Sequence, residues 1–115
     1  MVVVNTDTGK MIAKLPIGRG SDAAASDPKR RHAFSSNGVD GTLSIIQEKD
    51  AQTFVLLGNL KTTVGARTMA LDPETGRIHL VAADLEAPAA NAAAGARRAI
   101  VPGSVKLLFL DPPKG

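Results

Sequence analysis

The sequence contains no cysteine, no tryptophan and no tyrosine, and it has only three phenylalanines. The absence of cysteine excludes disulfides, thiolate nucleophiles and cysteine-ligated zinc sites. A hydrophobic core must therefore be built mainly from valine, leucine, isoleucine and alanine. The shortage of aromatic rings also argues against a surface for single-stranded nucleic acid, where bases stack on aromatic side chains.

Strong charge and long apolar runs are absent as well. The formal net charge is +3 over 115 residues, which is well short of the basic surface that nucleic-acid binding requires. No apolar stretch approaches the roughly 20 residues of a membrane-spanning helix. Residues 1–6 are too short and too soon polar for a signal peptide. We expect no membrane span, and the compartment stays open.

One segment of the chain occurs twice. Asp72-Pro73 follows Asp27-Pro28 by 45 residues, and each pair ends a small-residue run, GSDAAASDP at 20–28 and GARTMALDP at 65–73. Each copy continues through a polar turn into a second short apolar run. A period of about 40–45 residues made of short strands is typical of β-propeller blades.

Short apolar runs separated by turn residues predict the strands of these blades. The first hairpin is predicted over Val2–Val4 and Met11–Leu15. The next blade is predicted as four strands: Ala23–Ser26, His32–Ser35, Leu43–Gln47 and Phe54–Leu57. Its last two strands are joined by the polar residues 48–52. The third blade is predicted over Thr68–Leu71, a strand from Arg77-Ile78 and Val105–Leu110.

The predicted fold class is therefore all-β, a partial β-propeller of about two and a half four-stranded antiparallel blades. Residues 1–17 form a half blade, 18–63 a full blade, and 64–115 a blade that lacks its last strand. A loop at 85–104 interrupts the third blade. Alanine favours helix in that loop, but Pro88 and Gly95 bracket the run and no apolar stripe would dock a helix. We predict that Ala87–Arg98 is irregular and mobile.

These residues also resemble a known family. The run 65–73, the strand start at Arg77-Ile78, the Ala/Pro-rich loop and residues 101–104 resemble the C-terminal end of bacterial YVTN-repeat (YncE-like) β-propeller proteins. The resemblance implies about seven blades in a full-length member and an export signal, hence a periplasmic or secreted protein. It also implies that the partners of this segment are the missing blades or further copies of itself.

Two charged residues are candidate ligand-binding residues. Asp22 and Arg67 each lie five residues before an Asp-Pro turn, at the entrance to the innermost predicted strand. In a propeller this position lines the central funnel, where an acid beside a base would bind a polar ligand or form an ion pair between blades. Asp27 and Asp72 are predicted to be turn formers, because Asp accepts local backbone hydrogen bonds before proline.

The two histidines predict no metal site. With Arg31 aligned to Arg77, His32 and His79 fall one residue out of step, and neighbours in a strand point to opposite faces. No catalytic residue and no cofactor is predicted. The sequence favours a non-enzymatic module that binds a protein or a small molecule. A lactonase-like propeller enzyme with a polar funnel is one alternative, and a weak nucleic-acid binder using the short basic clusters Lys29–Arg31 and Arg97-Arg98 is another.

Overall fold

The computed structural model describes residues 1–114, and these contain nine strands and no helix. The strands form three antiparallel sheets in which spatial order follows chain order. The N-terminal sheet consists of β1 (Val2–Val4) and β2 (Met11–Lys14). The central sheet consists of β3 (Ser21–Asp27), β4 (His32–Asn37), β5 (Thr42–Asp50) and β6 (Thr53–Lys61). The C-terminal sheet consists of β7 (Met69–Leu71), β8 (Ile78–Ala82) and β9 (Lys106–Leu110). The predictions of an all-β chain and of three antiparallel sheets in sequence order are confirmed.

The two Asp-Pro segments form the turns that the sequence predicts. Asp27 Oδ1 accepts a hydrogen bond from the Arg30 amide at 3.1 Å. Asp72 Oδ1 accepts one from the Glu74 amide at 2.9 Å. Both aspartates are therefore turn formers, because their side chains satisfy backbone donors that the strand ladders leave free.

The hairpin between β5 and β6 is longer than the sequence predicts. Polar residues 48–50 continue β5, and only Ala51 and Gln52 form the turn. Gln47 lies opposite Val55, and Glu48 lies opposite Phe54, with bulges on both sides of this stretch. The predicted polar connection over residues 48–52 is wrong because backbone pairing does not depend on side-chain polarity, and these side chains reach solvent near the end of the strand.

The core lies between the central and C-terminal sheets. We call the face of each sheet that is directed toward the next sheet in the chain its forward face, and the opposite face its rear face. The forward face of the central sheet packs against the rear face of the C-terminal sheet. The forward face contributes Ala25, Phe34, Leu43 and Ile45, and the rear face contributes Met69, Leu71, Ile78, Leu80, Leu108 and Leu110. Strand registers place each of these sets on one face.

The first strands and the last strands of neighbouring sheets lie side by side. β3 contacts β7, and β2 contacts β6. The three sheets are stacked in sequence order as a result, and the described part of the chain extends over 49 × 30 × 21 Å. Its radius of gyration is 16.0 Å, against about 13 Å expected for a compact domain of this length. The described part of the chain is therefore more extended than a compact domain of its length.

The segment between β8 and β9 is an irregular loop, as the sequence predicts. It contains turns but no helix, and Leu85 and Ile100 form an isolated bridge near its base. The Arg98 guanidinium crosses that base and donates to the carbonyl oxygens of Leu85 and Glu86. Residues 87–98 are exposed throughout. The predicted mobility of this loop stays a prediction.

Candidate functional site

The candidate site lies at the end of the stack where β3 and β7 begin, which we call the entry end. The Ser36 hydroxyl joins the two strand starts there. It accepts a hydrogen bond from the Ala23 amide at 3.1 Å and donates to the carbonyl oxygen of Arg67. Ser36 is fully buried on the forward face of β4. The backbones beside Asp22 and at Arg67 are thereby held together by one hydroxyl.

Glycine at position 38 allows the Arg67 side chain to lie across the entry end. A Cβ built on Gly38 would come within 2.6 Å of Arg67 Cγ and 2.9 Å of its Nε. Gly38 also bridges the neighbouring segments through its backbone, since its amide donates to Gly20 and its carbonyl accepts from the Gly65 amide. A larger residue at position 38 would displace the guanidinium, so Asn37-Gly38 is more than a turn signal.

The charges at the entry end fall into a paired and an unpaired group. Arg19 and Asp40 form an ion pair, with Nε 2.9 Å from Oδ1, and the Arg19 amide donates to Oδ2 at 2.8 Å. That backbone hydrogen bond, followed by the guanidinium, holds the pKa of Asp40 below its ordinary value. Asp22 and Arg67 are exposed. Within residues 1–114, neither takes part in a side-chain ion pair.

The structure therefore brings the backbones at the two predicted site residues close together without pairing their charges. The ion pair between blades that the sequence offers as one alternative does not form. A shallow cavity of about 240 Å³ lies nearby, between residues 63–64 and the base of the loop after β8. Neither Asp22 nor Arg67 lines it.

The alignment of Arg31 with Arg77, which predicts that the two histidines face opposite ways, is wrong by one residue. His32 lies opposite Asp27. The Asp72 amide donates to the Arg77 carbonyl, and the β7–β8 register places these two residues opposite each other in the same way. Arg77 is thus the counterpart of His32, and residue 31 corresponds to Gly76.

Positive φ values, 58° at Arg31 and 75° at Gly76, mark the same turn position in both copies. His32 and His79 therefore lie on the forward faces of their own sheets. His32 is buried between the central and C-terminal sheets, and its Nδ1 has no hydrogen-bond partner. His79 lies on the uncovered side and meets the Phe109 ring edge-on at 5.2 Å.

Sequence reasoning missed a buried polar network on the rear face of the central sheet. The Asn37 amide donates to Ser44 Oγ at 2.8 Å and to Thr42 Oγ1 at 3.1 Å. Ser44 in turn donates to Asn59 Oδ1 at 2.6 Å, and Ser35 donates to Asn37 Oδ1 at 3.1 Å. The sequence offers a partial signal, because Ser44 is a polar residue between the apolar Leu43 and Ile45, but the consecutive polar residues 35–37 look like the start of a turn. Buried polar groups remain stable only when they are hydrogen-bonded in this way.

The basic cluster at Lys29–Arg31 is occupied by internal contacts. Arg30 pairs with the buried Asp27 carboxylate at 3.0 Å and donates to the carbonyl oxygen of Glu74 at 2.8 Å. Lys29 and Arg31 form ion pairs with Glu74 and Glu48. Lys29 and Arg30 thus connect the turns of neighbouring sheets and Arg31 pairs within the central sheet, so less of their charge is available to a phosphate backbone.

No family model, no curated protein and no solved structure matches this chain. In the part of the chain that the structure describes, no group of three or more histidine and acidic side chains is arranged to hold a metal ion. No helix among residues 1–114 is long and apolar enough to cross a membrane.

Proposed function

We propose that this chain is a run of consecutive blades of a YVTN-type β-propeller and that it acts as a non-enzymatic binding module. Its ligand contacts Asp22 and Arg67 at the entry end. The observation that carries the proposal is a pair of unpaired opposite charges, Asp22 on β3 and Arg67 just before β7, in backbone segments that the Ser36 hydroxyl joins.

The stacking of the sheets supports the propeller interpretation. Blades radiate from an axis, so their first strands must lie side by side at the centre and their last strands at the rim. β3 lies beside β7 and β2 lies beside β6, as this arrangement requires. The small side chains of β3, among them Ala24 and Ala25, suit the narrow space near an axis.

The chemistry of the entry end indicates the class of ligand. An exposed carboxylate on β3 and an exposed guanidinium in the neighbouring segment before β7 favour a small ligand that carries both a cationic and an anionic group. Arginine recognises carboxylates with two parallel hydrogen bonds, and Asp22 would accept from an ammonium. Free amino acids and short peptides have this combination of charges.

The test is a titration of the isotope-labelled chain with free glutamate, free arginine and diglycine, followed by amide NMR shifts. We expect shifts concentrated at residues 19–23, 36–38 and 65–68. Hydrogen bonds to charged groups contribute about 1.5–3 kcal/mol, so Asp22→Ala or Arg67→Ala should weaken binding at least about tenfold. Asp7→Ala and Arg97→Ala are matched controls that remove exposed charges elsewhere. Equal losses in the controls, or no shifts at the entry end with any probe, would refute the proposal.

A further inference from the structure

The forward face of the C-terminal sheet is apolar and uncovered. Leu107 and Phe109 on β9 are 57% and 58% exposed, and Val81 on β8 is also exposed. The register places Leu107 opposite Val81 and Phe109 opposite His79, so these side chains share one face. Val105, just before β9, extends the apolar area. Contiguous apolar surface of this kind usually marks an interaction site.

The same positions are covered in the central sheet. Val81 follows Ser36 by the repeat length of 45 residues, so the two positions are equivalent. Leu43 lies opposite Ser36 and Leu107 lies opposite Val81, so Leu43 and Leu107 are equivalent as well. Phe109 corresponds to Ile45, because Phe109 lies two residues after Leu107 and Ile45 lies two residues after Leu43. Leu43 is only 1% exposed, because the rear face of the C-terminal sheet packs on it. The chain itself thus shows what covers such a face, namely the rear face of another sheet of the same repeat.

A rear face without a partner exists at the other end of the stack. On β1, Val3 is half-buried toward the central sheet, whereas Val2 and Val4 are exposed on the opposite side. Met11, which pairs with Val4 in the hairpin, is exposed as well. The uncovered rear face of the N-terminal sheet is therefore largely apolar, with the exposed Lys14 opposite Val2 at its edge.

These two uncovered faces have matching strand positions. β1 and its hairpin partner β2 correspond to β5 and β6, the last two strands of the central sheet. β9 also corresponds to β5, so β1 and β9 occupy the same position in their sheets. Stacking a second copy in the observed manner would place β9 of one copy against β1 of the next. Their exposed apolar residues, Leu107 and Phe109 on one side and Val2 and Val4 on the other, lie on these two strands.

We propose that this chain associates head to tail with a second copy of itself. The forward face of the C-terminal sheet of one copy packs on the rear face of the N-terminal sheet of the next, which continues the packing seen between the central and C-terminal sheets. The inference rests on the observed stacking and not on the ligand at the entry end. Such a contact is heterologous, so it leaves one free face at each end and permits further copies to add.

The test compares two variants that each place a charge on one of the faces. Leu107→Glu changes the forward face and Val4→Glu changes the rear face, and both side chains are exposed in the single chain. Leu57→Glu is the matched control, because Leu57 is similarly exposed on β6. Sedimentation velocity from micromolar to millimolar concentration measures association, and circular dichroism verifies that each variant folds.

We expect the unmodified chain and the Leu57→Glu control to form species whose mass grows with concentration. Each face variant alone should be monomeric. An equimolar mixture of the two face variants should form a heterodimer and nothing larger. The intact forward face of Val4→Glu can pack on the intact rear face of Leu107→Glu, and both remaining faces carry a charge. A monomeric unmodified chain or a mixture that stays monomeric would overturn the proposal. So would a Val4→Glu variant that associates as the unmodified chain does, because it would indicate symmetric pairing of the C-terminal sheets. Binding at the entry end is measured separately and does not affect these outcomes.

Discussion

The same substitution at two corresponding leucines should have very different effects on stability. Leu43 and Leu107 occupy equivalent positions on the forward faces of the central and C-terminal sheets. Leu43 is 1% exposed and belongs to the core cluster, whereas Leu107 is 57% exposed. The backbone environment is a β-strand in both cases, so the pair isolates the effect of the covering sheet.

The expected magnitudes follow from burial. Truncating a buried leucine to alanine costs about 2–5 kcal/mol, because transfer free energy is lost and a cavity remains. Leu43→Ala should fall in this range, since Phe34, Ile78 and Leu80 surround the site. Surface substitutions away from special features usually stay within about 0.5 kcal/mol. Leu107→Ala should remain near that limit when the protein is dilute enough to be monomeric.

Urea denaturation followed by circular dichroism measures both unfolding free energies. At low protein concentration, we expect Leu43→Ala to lower the midpoint strongly and Leu107→Ala to leave it almost unchanged. At high concentration, Leu107→Ala should lose the stabilisation that association gives to the unmodified chain. Similar losses for the two variants in the dilute protein would mean that the face of the C-terminal sheet is already covered within the chain, and the stacking argument would fail.

Three further predictions concern the turns and the long loop. Hydrogen bonds from the Thr75 hydroxyl and then from the backbone lower the pKa of Asp72, so its contribution to stability is present above about pH 3.9 and is lost as pH falls through the folded-state value. Asp72→Ala should therefore flatten the acid limb of a stability–pH curve, and an unchanged limb would contradict this. Gly76→Ala should destabilise by about 1–3 kcal/mol in urea denaturation, because φ is 75° and the added Cβ would approach Arg30 Nε to 2.7 Å; a neutral effect would contradict this. Ala87–Arg98 should exchange amide hydrogen far faster than β5, and equal protection would refute its predicted mobility.

Strand positions could be predicted from the sequence because each strand is a short apolar run between turn residues. The Asp27-Pro28 and Asp72-Pro73 turns placed the neighbouring ends of four strands to within one residue, since their chemistry is local. The polar end of β5 could not be predicted in this way. Pairing there depends on backbone hydrogen bonds across the hairpin, which side-chain character does not report.

The face on which a residue lies was harder to predict than the strand that contains it. Aligning Arg31 with Arg77 shifts the second strand of the repeat by one residue, and a shift of one residue exchanges the two faces of a strand. The correct equivalence is set by the positive φ at Arg31 and Gly76. The sequence shows a glycine at only one of these positions, so the equivalence becomes visible only in the backbone.

The binding role of Asp22 and Arg67 stays a prediction, and the contacts that join their backbone segments could not be predicted from the sequence. The sequence proposes Asp22 and Arg67 because the repeat puts them at equivalent places. The contribution of Ser36 could not be found in the same way, because its counterpart in the second copy is Val81 and the repeat does not preserve the hydroxyl. Its role arises from the hydrogen bonds that it makes to neighbouring strands.

The difference between Ser36 and Val81 gives the forward faces of the central and C-terminal sheets different kinds of contact. In the central sheet, the buried hydroxyl connects the forward face to the segment before β7, so the covering sheet is held in place by a directional hydrogen bond. At the corresponding position in the C-terminal sheet, Val81 offers only apolar area. A contact made there is therefore non-directional and depends on the area removed from water. The interface inside the chain is in this way specified by polar contacts, whereas the uncovered face is suited to a weaker, concentration-dependent association.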